Sequence, residues 1–158
     1  MGRDKWYMRK GDACGSPRHV GDVCATSLKE ASKMSRTTIL YVEDDELLRL
    51  TVQDTLELEG WRVESCGDGL AALARIESAE PYHLLLFDNE LPGASGIELL
   101  RHARMMPTRQ RTPVVIISAT DSTHEARRAG ADAFLKKPDD INQLVSTIAR
   151  LLGMCEPS

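Results

Sequence analysis

Apolar residues in this chain follow two alternating rhythms. Short continuous runs, such as Leu84-Leu85-Leu86-Phe87 and Val114-Val115-Ile116-Ile117, are each closed by a polar group or a turn signal. Runs of this kind mark strands buried on both faces. Between them, apolar positions recur at spacings of three and four, the period of a helix with one face in a core. The pattern predicts strands over 39–42, 62–66, 83–87, 114–118 and 133–135. It predicts helices over 45–59, 70–78, 96–105 and 123–129. A last helix is opened by Pro138-Asp139-Asp140 and carries Ile141, Leu144, Val145, Ile148, Leu151 and Leu152 on one face. Gly60, Gly130 and Gly153 close three of these helices. Asp45 is placed as a first-turn partner of the helix dipole rather than a ligand. Strands alternating with helices give an α/β fold, a five-stranded parallel doubly wound sheet with about five helices. Its crossovers are right-handed.

Residues 1–36 carry neither rhythm. They read as a disordered leader with at most a short helix over 27–34, followed by a domain over 37–153 and a short tail over 154–158. Met34 stands just before the first strand and is an alternative start of the protein. The leader has eight Lys/Arg against four Asp/Glu, and the remainder twelve against twenty. The acidic body argues against nucleic-acid binding by the folded part. Cys14, His19 and Cys24 match no zinc spacing, and the four cysteines outline no disulfide framework, which fits a reducing cytoplasm. No apolar run is long enough for membrane insertion, and no secretory signal is visible.

Chemistry gathers where strands stop. Glu43-Asp44 follow the first strand, Asp88 the third, Ser118 ends the fourth, and Lys137 follows the fifth by two residues. In a parallel sheet these ends share one edge, outside which ligands bind. Three clustered carboxylates repel, and burial raises their pKa values unless a cation sits among them. Oxygen-only ligands in a partly hydrated site suit Mg²⁺. Such an ion beside Asp88 lets a phosphoryl group approach a carboxylate, with Lys137 and Ser118 available to its oxygens.

Four pieces in this order resemble the receiver domain of bacterial two-component response regulators, in a stand-alone, chemotaxis-regulator-like form. They are Ile39-Leu40-Tyr41-Val42-Glu43-Asp44, then Phe87-Asp88-Asn89-Glu90-Leu91-Pro92 with Gly96, then Ser118-Ala119, then Lys137-Pro138. The resemblance covers about three quarters of the chain and implies a flavodoxin-like fold. It implies that Asp88 accepts a phosphoryl group from a sensor histidine kinase or a histidine phosphotransfer protein. Glu43, Asp44, Asp88 and the backbone carbonyl of Glu90 are then the Mg²⁺ ligands. Lys137 contacts the phosphoryl group, Ser118 moves toward it, and Phe134 swings inward with that hydroxyl. The expected outcome is phosphorylation-dependent binding of a downstream protein, a phosphorylation-dependent dimer, or onward relay. Catalysis is confined to the chain's own phosphorylation and dephosphorylation, so it is not expected to be an enzyme.

Three positions depart from the family pattern. The 118–130 segment is about one helical turn short, and Asp139 follows Lys-Pro where an apolar residue is usual. Glu90, two after the acceptor, is placed to influence a hydrolytic water. In the first helix Leu48, Val52 and Leu56 share the core face, while Leu47, Leu50 and Leu58 form a separate arc. That arc reads as a docking patch for the helices of a phosphodonor protein. The alternatives are a Mg²⁺-dependent phosphohydrolase of the haloacid-dehalogenase type and a vestigial receiver acting as a binding module. The first would need a second Asp where Glu90 stands.

Overall fold

The computed structural model describes residues 37–154. Expectations for 1–36, including the leader, its helix and its Cys–His group, and for the tail beyond Met154 lie outside the described residues. In chain order the elements are β1 (Thr38–Val42), α1 (Glu46–Leu58), β2 (Arg62–Cys66), α2 (Gly69–Glu77), β3 (Leu84–Asp88), α3 (Gly96–Met105), β4 (Val114–Ser118), α4 (Thr123–Ala129) and β5 (Ala133–Lys136). A 3-10 turn (Ile141–Gln143) then leads into α5 (Leu144–Leu151). All strand pairings are parallel, in the order β2-β1-β3-β4-β5.

Every residue of β1, β3 and β4 is buried, as a sheet covered on both faces requires. Alternate side chains divide between two cores. Leu40, Val42, Leu85, Phe87, Val114 and Ile116 pack with Ala72 and Ile76 of α2, Leu99, Leu100 and Ala103 of α3, and Ala126 of α4. Ile39, Tyr41, Leu84, Leu86, Val115 and Ile117 pack with Val52 and Leu56 of α1, Leu144 and Ile148 of α5, and Trp61.

Helix starts are set by side chains. Asp45 accepts from the Leu48 N–H and Asp68 from the Ala71 N–H, while Ser95 and Glu98 close a reciprocal capping box. Several boundaries fall one residue from the expected ones, and two of the differences have a structural account. His83 lies before β3, its ring Nδ1 accepting from the Thr38 N–H, and the strand runs on to include Asp88. The last helix begins as a 3-10 turn, so Ile141 is only partly buried. Among the described residues no helix is long and apolar enough to cross a membrane.

Candidate functional site

β1 and β3 run side by side with Val42 in register with Phe87. The next residues on each, Glu43 and Asp88, therefore emerge together at the carboxyl edge of the sheet. Both are buried, 1% and 2% exposed, whereas neighbouring Asp44 is exposed. One carboxylate oxygen from each of Glu43, Asp44 and Asp88 lies within 4.8 Å of the others. Lys137 closes this group from the far strand. Its Nζ donates to Glu43 Oε2 at 2.6 Å and to Asp88 Oδ1 at 3.1 Å. The preceding Lys136 is exposed, so of the two adjacent lysines the second is the site cation. The Lys137 N–H donates to the Ser118 carbonyl at 2.8 Å, and the peptide bond from Lys137 to Pro138 is cis.

Glu43 is held by more than its charge. The Tyr41 hydroxyl, at 3.5 Å, and the Asp45 N–H, at 3.3 Å, donate to its carboxylate, and Arg49 donates to its backbone carbonyl at 2.8 Å. Tyr41 and Arg49 were not singled out from sequence. Tyr41 lies two residues before Glu43 on the same strand face, a period-two relation that was readable.

Electrostatics follow from burial and crowding. Loss of solvent and the nearby Glu43 charge push the Asp88 carboxyl up to about 6, with Lys137 pulling the other way. Burial lowers the Lys137 pKa, but its bond to Glu43 and the charge of Asp88 outweigh that and raise it. Burial, followed by the Glu43 charge, raises the Tyr41 phenol far above its ordinary value, so it acts as a donor.

Ser118 ends β4 fully buried, yet its hydroxyl is engaged with Glu90. Ser118 Oγ donates to Glu90 Oε1, as does Thr120 Oγ1 at 3.0 Å, and the Ala119 N–H donates to Oε2 at 3.2 Å. Burial raises the Glu90 pKa, but these donors, Ser118 foremost, bring it below the usual carboxylate value. Thr120, two after Ser118, is a site residue that the motifs did not reveal. Among the described residues none donates to the Glu90 carbonyl. Phe134 stands apart from the acidic group. It is partly buried on β5 in register with Ile116, beside a cleft of about 140 Å³ lined by Thr123, Arg127, Ala131, Asp132 and Ala133.

The geometry thus brings together Glu43, Asp44, Asp88 and Lys137, and ties Ser118 to Glu90. Three carboxylates against one ammonium leave excess negative charge among oxygen-only donors, a set that fits a hard divalent cation. On the first helix, Val52 and Leu56 are buried, while Leu47 and Leu50 remain 77% and 50% exposed.

A family model of the response regulator receiver domain matches residues 39–149. The chain is 34% identical over 122 residues to the phosphate regulon transcriptional regulatory protein PhoB of Rhizobium meliloti, covering 75% of this chain and 53% of that protein. It is 35% identical over 119 residues to the response regulator ArlR of Staphylococcus epidermidis, covering 73% and 52%. The chain therefore spans about half the length of these curated relatives. Among solved structures, the receiver domain of Francisella response regulator 1452 superposes with a TM-score of 0.68 at 30% identity, covering 75% of this chain and 98% of that one. The receiver domain of sensor histidine kinase PA1611 from Pseudomonas aeruginosa, with a magnesium ion coordinated in its active-site cleft, gives 0.66 at 27% identity, covering 74% and 98%.

Proposed function

The chain belongs to the response regulator receiver domain family, and on that premise we propose that it is a phosphorylation-driven switch with Asp88 as the acceptor. The observation that carries this reading is a buried Asp88 carboxylate paired with Lys137 beside Glu43 and Asp44. In the reaction an Asp88 oxygen bonds to phosphorus as the bond from phosphorus to the donor's histidine nitrogen breaks. Lys137 faces the charge carried by the transferred group, and Ser118 supplies a hydroxyl to one of its oxygens.

Glu43, Asp44, Asp88 and the Glu90 carbonyl would hold Mg²⁺, which when bound neutralises charge on the phosphoryl group. The donor is a histidine kinase or a histidine phosphotransfer protein, and the product state is read by a downstream protein, by dimerisation or by onward relay. The chain's catalysis is confined to gaining and losing its own phosphoryl group. The phosphohydrolase alternative is not favoured. Where it needs a second Asp, Glu90 is occupied by three donors at the end of β4.

Intact-protein mass after incubation with acetyl phosphate tests this reading. The expected result is a single phosphoryl adduct that requires Mg²⁺ and is absent in Asp88→Asn. No adduct under any condition would leave only a vestigial binding module. Steady phosphate release without an adduct would restore the phosphohydrolase.

A further inference from the structure

Ser118 has one hydroxyl proton, and that proton is already committed. It points at Glu90 Oε1. The Ser118 oxygen is also engaged as an acceptor, from the Thr120 N–H at 3.1 Å. Thr120 commits its own proton to the same Glu90 oxygen at 3.0 Å. The Ala119 N–H takes the other carboxylate oxygen. The network continues from Thr120 to Ser122, at 3.2 Å, and from Ser122 to the Asn89 amide, at 3.5 Å. It thus joins the residue after Asp88 to the start of α4.

A carboxylate offers about four lone-pair sites, and three of those on Glu90 are taken. This limits what Glu90 can do for a passing water and gives it a different task. A hydroxyl cannot donate one proton to two acceptors. While Glu90 holds the Ser118 proton, Ser118 has none for a phosphoryl oxygen on Asp88. The two acceptors are both anionic, so they also repel each other across the same donor.

We propose that Glu90 is a positioning residue that latches the resting state, holding the Ser118 hydroxyl and the loop after β4 until a phosphoryl group on Asp88 outbids it for the Ser118 proton. The inference rests on the receiver reading of Asp88 and adds to it a named competitor within the chain. Its strength sets how readily the switch is thrown. Weakening the latch makes the resting protein easier to phosphorylate, because less is broken on the way to the active arrangement. Glu90 itself is exposed, so its replacement removes the latch without opening the core.

The test has two arms on the full chain. In the first, without any phosphodonor, the Ala119 amide is followed by NMR hydrogen exchange and chemical shift. Glu90→Ala should speed its exchange about tenfold, the size of one charge-assisted hydrogen bond net of water. Glu90→Gln, which keeps one acceptor oxygen, should fall between. In the second arm, adduct formation from acetyl phosphate with Mg²⁺ should be several-fold faster in Glu90→Ala, and this gain should vanish when Ser118→Ala is also present. Unchanged Ala119 protection, or an equal gain without Ser118, would overturn the latch. Failure of the wild-type chain to take a phosphoryl group would instead sink the receiver reading, and the first arm would still decide whether Glu90 holds the loop.

Discussion

Asp88 is 2% exposed and stands between a like charge and a cation. Its carboxyl is raised from the ordinary 3.8 to about 6. That shift corresponds to roughly 3 kcal/mol of unfavourable ionisation in the folded state. The sign of its pH dependence follows. Between about 6 and 3.8 the folded chain holds the Asp88 proton more tightly than the unfolded chain, so this residue's penalty shrinks as pH falls below 6 and is gone only near 3.8. In metal-free buffer Asp88→Asn should therefore be more stable than the natural chain at pH 7.5, by roughly 1–3 kcal/mol. The advantage should fall by about half at pH 5. Urea unfolding at the two pH values measures it, and a pH-independent difference would mean that Asp88 ionisation is not strained. Asp88 was legible in the sequence because an apolar run stops at it. Which of Glu43 and Asp44 is buried was not legible, since that depends on Tyr41, Arg49 and Lys137 converging from three elements. The direction of the Glu90 side chain was equally hidden, because spacing from Asp88 says nothing about the hydroxyls of the neighbouring strand.

The strand that carries Asp88 is pressed against the start of α3. A Cβ at Gly96 would stand 2.4 Å from the Asp88 carbonyl oxygen and 3.0 Å from its carbonyl carbon. Backbone cannot step aside as a side-chain tip can. Gly96→Ala should lower stability by about 3 kcal/mol and slow phosphoryl uptake by displacing the acceptor. Gly67→Ala is the comparison, because its Cβ would meet chiefly the end of the Arg49 side chain, at 2.9 Å. Denaturant midpoints of the two variants check this, and equal losses would show that the contact with Asp88 is not decisive. At this scale the sequence was informative. Alternation of periods located all five strands and the five helices to within a few residues. The capping box at Ser95 and Glu98 stands in the sequence as a Ser-x-x-Glu spacing that places the helix start at Gly96. The 3-10 turn before α5 left no periodic trace, since Ile141 and Leu144 sit three apart in either helix type.

At the scale of the molecule, the site is where the ends of β1, β3 and β5 meet. A cation bound there ties separate parts of the sheet and favours the folded state in proportion to its occupancy. Mg²⁺ at a hundred times its dissociation constant should add about 2.7 kcal/mol to folding, seen as a higher unfolding temperature. The shift should largely vanish in Asp44→Asn, which removes an exposed carboxylate of the proposed ligand set and leaves the core intact. An equal shift in that variant would place the ion elsewhere. The parallel, doubly wound class was readable from alternation, but the strand order β2-β1-β3-β4-β5 was not, because alternation fixes direction and leaves neighbours open. Arg109 is a similar case. It is buried, stacks 5.0 Å over Tyr82 and donates to the carbonyls of Ile76, Ser78 and Glu80, yet in sequence it is one arginine in a polar stretch.

The Lys137–Glu43 pair joins residues 94 apart, and this separation bears on how the chain is made. On the ribosome, β1 and β3 emerge well before Lys137, with Glu43 and Asp88 already destined for the same dry edge. Until β5 arrives, those two charges lack the Lys137 ammonium that pairs with both, and they resist being enclosed. Closure of this corner therefore waits until β5 and Lys137 have left the ribosome.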